Sequence, residues 1–68
     1  MRLDLFLFRK NEKKLTQMEM AEKLGISVSN YNLIENGKRR GSLDFWENLQ
    51  NKFDLADSDV WNMQKNII

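Results

Sequence analysis

Sixty-eight residues permit one domain, and a chain this short buries only roughly 60% of the surface its unfolded form exposes, so its local signals must be strong. It contains neither cysteine nor histidine, which excludes disulfides, a Cys/His zinc site and any Ser–His or Cys–His nucleophile pair. The net charge of +1 conceals a split: residues 1–40 hold nine Lys/Arg against five Asp/Glu (+4), and residues 41–68 hold two against five (−3). Such asymmetry is expected of a basic face offered to a polyanion. No apolar run approaches the roughly 20 residues of a membrane span, so no membrane partner is expected. The N-terminal LDLFLF is too short for one and lacks a secretory cleavage site. The absence of cysteine fits a cytoplasmic location.

In chain order, residues 3–13 are read as a first helix with Leu3, Phe6, Leu7 and Lys10 on one face. LDLFLF also alternates like a strand, but a lone strand would have no partner. Thr16 followed by Glu19 is a capping box that opens a second helix, in which Met20, Ala21 and Leu24 fall at helical spacing before Gly25 ends it. Ser27 caps a third helix that turns Tyr31 and Ile34 inward and stops at Gly37. Ser42 caps a fourth, with Leu43, Trp46, Leu49 and Phe53 as its apolar stripe. Asp57 or Ser58 caps a short fifth carrying Val60 and Trp61. Met18, Met20 and Met63 are read as core filler. The expectation is an all-α, five-helix, single domain over residues 1–68, without a sheet.

The spacing from Gln17 to Ile34 is the informative stretch. Ala21 is small enough for the second helix to approach the third closely. Gly25 takes the left-handed turn that swings the chain through about 90–120°. Ile26 plugs the corner, and Tyr31 and Ile34 anchor the third helix. Together with Met20 and Leu24, these seven positions specify a helix–turn–helix core over residues 16–36. At ~100° per residue, Ser29, Leu33 and Asn36 then point away from the core, with Val28 and Asn32 beside them.

The segment LTQMEMAEKLGISVSNYNLIENGKRRGSLDFW closely resembles the Cro/C1-type (XRE-family) helix–turn–helix proteins, whose members often read LTQ-x-x-LA-x-x-LG-(V/I)-S-x-x-x-(I/V)-x-x-(I/L)-E-x-G-x-R. The resemblance is strong over residues 15–40 and extends over about 3–64 as a five-helix, lambda-repressor-like architecture. It implies double-stranded DNA as the partner, with the third helix in the major groove and the start of the second on phosphate. Val28, Ser29, Asn32 and Leu33 become the expected base readers: Asn pairs with adenine, Ser bonds several bases, and Val or Leu meets a thymine methyl. Thr16, Gln17, Ser27, Asn36, Lys38, Arg39 and Arg40 become the expected phosphate contacts.

Two further expectations follow from the resemblance. The family often pairs a basic residue of the first helix with the inward glutamate, here Glu35, and the matching position is Lys10. Lysine lacks the bidentate fork of arginine, so this structural pair is expected to be weak. Tyr31 replaces the usual Ile or Val, and its hydroxyl must find solvent or a partner.

An enzyme is not expected, since bases and nucleophiles are missing and Glu19 with Glu22 has no evident cleft. No cofactor, metal or small-molecule ligand is expected either. The expected role is a stand-alone transcriptional regulator of phage or mobile-element type, a repressor rather than an activator. The alternative is a protein-binding module of the same fold, such as an antitoxin or anti-regulator. One reading helix spans few base pairs, so a weak homodimer is expected through Val60, Trp61 and the tail Met63, Ile67 and Ile68. Alternatively Trp61 closes the core over Phe8 or Phe53, and the tail frays.

Overall fold

The computed structural model describes all 68 residues, and every regular element in it is helical. Helix α1 (Leu3–Leu7) runs directly into a π-helical turn (Phe8–Glu12); α2 (Gln17–Leu24), α3 (Val28–Glu35), α4 (Leu43–Phe53) and α5 (Asp57–Lys65) follow. The sole β-type pairing is an isolated antiparallel bridge between Arg2 and Ile67. This is the all-α helix–turn–helix fold that the periodicity and the resemblance predict.

Local chemistry explains most boundaries. Ser27 and Ser42 accept from the backbone N–H of Asn30 and Phe45, each at 3.1 Å, and so satisfy donors that an unstarted helix leaves open. Helix α5 departs from expectation: its cap is Ala56, with no side-chain cap bond, rather than Asp57 or Ser58. Asp57 is instead the first helical residue. Its carboxylate accepts from Gln50 Nε2 at 2.6 Å, and with Asp59 it sits at the positive end of the helix dipole.

Tyr31, Leu5, Met20, Ile34 and Leu49 form the fully buried centre, where α1, α2, α3 and α4 converge. Helix α2 packs on α3 and α4, α1 on α3 and α5, and α4 on α5. Asn48 Nδ2 donates to the Leu24 carbonyl at 3.0 Å, tying α4 to the turn between α2 and α3. With its inner side occupied, α3 keeps its outer side uncovered.

Four burial expectations are corrected. In α1 the inward residues are Leu5 and Phe8, while Leu7 is exposed and Leu3 and Phe6 are half-buried. Five of the six residues from Leu3 to Phe8 are apolar, so the helix is apolar nearly all round and its period allows more than one inward face. In α4, Phe45 is buried and Leu43 is 73% exposed, because at the helical period Leu43 falls to the side of the face that Phe45, Trp46 and Leu49 share. Met18 is exposed on the outer side of α2. In α5, Val60 and Met63 are the buried pair and Trp61 is 58% exposed.

Trp61 therefore does not close the core. Phe8 and Phe53 meet each other edge to face at 5.2 Å, which fills that place without the indole. Val60, expected on a pairing surface, lies inside. Nor is the tail frayed: the Ile68 N–H donates to the Met1 carbonyl at 2.8 Å beside the Arg2–Ile67 bridge.

Candidate nucleic-acid interface

The start of α2 is built by the capping box. Thr16 Oγ1 accepts from Glu19 N at 3.1 Å, and Glu19 Oε1 accepts from Thr16 N at 2.9 Å. The backbone hydrogen bond from Thr16 holds the Glu19 carboxyl below the usual carboxylate range. Gly25 ends α2 at φ +69°, in the left-handed region. Its N–H donates to the Glu22 carbonyl and that of Ile26 to the Ala21 carbonyl, each at 3.1 Å, as in a Schellman stop. Half-buried Ile26 fills the corner, and α3 begins two residues later.

This turn sets the outer face of α3. Val28 and Ser29 are exposed, and Asn32 and Leu33 are half-buried. With Gln17, these four line one open concave surface. Thr16 and Ser27 stand exposed as the caps of α2 and α3, and Asn36 is exposed at the end of α3.

Beneath this face lies a buried ionic centre, and it corrects the expected Lys10–Glu35 pair. The partner of Glu35 is Arg9: Nε donates to Oε2 at 2.8 Å and Nη2 to Oε1 at 2.9 Å, a bidentate fork. Arg9 Nη1 reaches the Leu15 carbonyl at 2.8 Å. Lys10 is exposed, with its ammonium 5.6 Å from the Phe6 ring centroid. The helical period is the physical reason: Arg9 lies four residues after Leu5 and next to Phe8, on the face that α1 turns inward, and Lys10 falls outside it. The turn that follows is π-helical, with Lys13 N donating to the Phe8 carbonyl at 3.0 Å, five residues back. The pair is thus stronger and more rigid than a lysine would allow.

Glu35 is 1% exposed and every acceptor position on it is used. Tyr31 Oη donates to Oε2 at 2.6 Å, which settles the partner of that hydroxyl, and Gln17 Nε2 donates to Oε1 at 3.1 Å. Burial pushes the Glu35 carboxyl upward, but hydrogen bonds from Arg9, Tyr31 and Gln17 outweigh it and hold it below the usual range. Burial, then the adjacent carboxylate, drives the Tyr31 hydroxyl well above its ordinary value. The hydrogen bond to Glu35 raises Arg9 further, so Arg9 is charged at every ordinary pH.

The chain continues outward. Gln17 Oε1 accepts from Asn32 Nδ2 at 3.0 Å, and Asn32 Oδ1 accepts from Asn36 Nδ2 at 3.1 Å. Three side chains expected to touch DNA are thereby joined to the interior.

The basic loop is equally built. Lys38 N and Arg39 N both donate to the Leu33 carbonyl, at 2.9 and 3.2 Å, so the loop starts folded against the end of α3. Lys38, Arg39 and Arg40 are exposed, and Arg39 Nη1 is held by Asn30 Oδ1 at 2.9 Å. Behind them lies Arg2, 2% exposed. Its Nη2 donates to the carbonyls of Arg39 at 3.0 Å and Arg40 at 3.1 Å, and its Nη1 donates to the Gln64 carbonyl. Trp46 Nε1 also donates to the Arg40 carbonyl, at 3.0 Å. Gly41, at φ +80°, permits this approach, since a Cβ there would lie 2.9 Å from Trp46 Nε1.

Three contributors escaped the sequence reading: Arg9, Arg2 and Asn30. Arg9 had a signal in its place next to Lys10. Arg2, among charged residues at a chain end, had none. Burial of Arg2, Arg9 and Glu35 leaves seven surface bases against four acids in residues 1–40, from nine and five, so the basic bias survives at +3.

No three His, Cys, Asp or Glu side chains converge on a metal-sized site, and no helix is long and apolar enough to cross a membrane. No curated protein and no solved structure matches the chain. A family model described as Helix-turn-helix matches residues 5–58, which runs from α1 into the first turn of α5. With that match laid over a capped α2, a glycine-turned corner and an outward α3, the chain belongs to the Cro/C1-type helix–turn–helix family of DNA-binding transcription regulators.

Proposed function

We propose that the protein binds double-stranded DNA sequence-specifically, as one domain, with α3 in the major groove. The observation that carries this reading is the uncovered face of α3 with a basic loop folded beside it. Val28, Ser29, Asn32 and Leu33 read base edges and thymine methyls. Thr16, Ser27, Asn36, Lys38, Arg39 and Arg40 hold phosphates and fix the register without carrying sequence information. Gln17 stands among them by position, although its amide is bonded inward.

Occupation of an operator makes the protein a repressor, since a domain seated in the groove excludes competitors from those base pairs. The chemistry proposed is binding and not catalysis. No histidine or cysteine is present to act as base or nucleophile.

Selectivity requires more base pairs than one helix covers. We assign the second half-site to a second copy, about 34 Å away along the duplex. The apolar side chains open to such pairing are Trp61 and Leu43, which flank a shallow groove between α4 and α5, together with Ile67 and Ile68 of the tail. Val60 contributes from beneath.

Selection of bound duplexes from a random pool, followed by salt titration on the selected site, tests the reading. A palindromic preference and a steep fall of affinity with salt are expected. Salt-insensitive binding, or none, favours the alternative of a protein-binding module, for which the exposed Trp61 groove is the docking surface.

A further inference from the structure

A cavity of about 280 Å³ at the close of α5 is lined by three cations and no carboxylate: Arg2, Arg40 and Lys65, with Gln64, Ile67 and the exposed indole of Trp61. Arg40 and Lys65 are exposed. The protein's one ion pair is Arg9–Glu35, so none of these three has a counter-ion.

Arg2 is the unusual member. Its guanidinium is buried and bonded only to the carbonyls of Arg39, Arg40 and Gln64, and its Nε has no partner. Burial lowers it from its ordinary value, with no carboxylate to offset the loss. A charge held out of water is screened less than one in solvent, so its field carries further. The acids nearby are turned to other places. Glu47 and Asp57 line the α4–α5 groove, which shares only Trp61 and Gln64 with this cavity. Asp4 accepts from Asn66 Nδ2 at 3.2 Å and lines a third cavity with Asp59.

A helix C-terminus is ordinarily a poor place for an anion, because its last carbonyls form the negative end of the dipole. At this one the oxygens are occupied. The Gln64 carbonyl accepts from Arg2 Nη1, that of Asn62 from Asn66 N and that of Lys65 from Ile67 N, the last two at 3.1 Å. On the loop side, Arg2 Nη2 covers the Arg39 and Arg40 carbonyls, and Trp46 Nε1 the latter as well. With those oxygens turned to donors, the cavity is left with positive charge.

We propose that Arg40 and Lys65, supported by the buried charge of Arg2, form a further phosphate site at the close of α5, and that it takes a backbone phosphate of the duplex outside the base pairs that α3 meets. The proposal rests on the DNA-binding reading above. Continuity favours the DNA backbone over a free phosphate: Arg40 belongs both to the basic loop and to the cavity, so the cations run from the end of α3 to the end of α5. The two exposed cations also suit a ligand that stays in solvent. A contact of this kind adds affinity and carries no sequence information.

The test compares the full chain with Lys65→Gln and Lys65→Arg on a selected half-site, where one copy binds, and on random duplex. The Lys65 ammonium lies 5.6 Å from the Trp61 ring centroid and makes no ion pair, so its removal spares the fold. Lys65→Gln should lower the salt slope by about 0.9 and the affinity for both duplexes about five- to tenfold at ~0.1 M salt, and Lys65→Arg should restore both. Methylphosphonates, which neutralise one phosphate at a time, should reveal one position outside the selected base pairs that weakens the wild-type chain and leaves Lys65→Gln unaffected. An unchanged slope in Lys65→Gln, on duplexes that the wild type binds with a steep slope, overturns the site and leaves the DNA-binding reading standing. A loss confined to whole sites assigns Lys65 to the pairing of two copies and overturns it as well. Inorganic phosphate and a nucleoside monophosphate, titrated against the Trp61 indole signal in NMR, separate the other source. Saturable binding that Lys65→Gln abolishes, with no sensitive position among the methylphosphonates, assigns the site to a free phosphate and overturns the DNA contact. A wild-type chain that binds no duplex places the failure in the DNA-binding reading, and the contact falls with it.

Discussion

Glu35→Gln removes one charge from the interior and conserves the volume of the side chain. In the wild-type protein, Oε2 receives Arg9 Nε and Tyr31 Oη, and Oε1 receives Arg9 Nη2 and Gln17 Nε2. Glutamine must put an NH2 group in one of those places. On either side it faces two donors, so two hydrogen bonds are lost and replaced by repulsion. Arg9 remains charged and buried, without a counter-ion. Leaving such a charge unpaired costs about 3–5 kcal/mol. A domain of this length has about 3–10 kcal/mol in total, at roughly 0.05–0.15 per residue. The variant should therefore be largely unfolded or close to it. Urea unfolding followed by far-UV circular dichroism and by the fluorescence of buried Trp46 measures the loss; at a slope near 1 kcal/mol per molar, the midpoint should fall by about 3–5 M. A loss below about 1 kcal/mol, the worth of an exposed ion pair, would refute the claim that this centre holds α1, α2 and α3 together.

The pH dependence follows from the same centre. The folded-state value of Glu35 lies below its unfolded value, so its contribution is present above the ordinary carboxylate value of about 4.3 and is lost as pH falls through the folded value. Tyr31 is displaced upward, so stability should also decline as pH rises past the ordinary tyrosine value of about 10; Tyr31→Phe should remove that alkaline limb in unfolding series at high pH. Asn32→Ala should cost about 1–3 kcal/mol at one base position and little elsewhere, read by competition among single-base variants of the selected site. Arg39→Ala should weaken selected and random duplexes alike and lower the salt slope by about 0.9; identical behaviour of the two variants across sequences would sink the division into readers and grips. Trp61→Gln should loosen self-association in sedimentation experiments and leave half-site binding intact, and a wild-type chain that binds whole and half sites without cooperativity would leave a monomer reading DNA alone.

The amino-acid sequence by itself determined what depends on neighbours three or four residues apart. The Thr16–Glu19 box, the Gly25 stop and the Ser27 and Ser42 caps are short-range bonds, and each is legible because both partners lie within one helical turn. The outward row of α3 was legible for a related reason: Tyr31 and Ile34 are its inward anchors, and a 3.6-residue period leaves the other side no choice. Tertiary structure alone decided the rest. A helix apolar at five of the six positions from Leu3 to Phe8 does not announce its inner face. Packing turns Leu5 and Phe8 inward, and that choice of face is why Arg9 rather than Lys10 meets Glu35. Whether Val60 or Trp61 is covered depends on which face of α5 meets α1 and α4. Arg2 finds its carbonyls 37 and more residues away, on a loop and a helix end that come together only when the core forms. The physical distinction is one of range: local hydrogen bonds and periodicity are written along the chain, whereas the pairing of buried charges and the filling of the last core positions are settled by which surfaces remain to be filled once the helices pack.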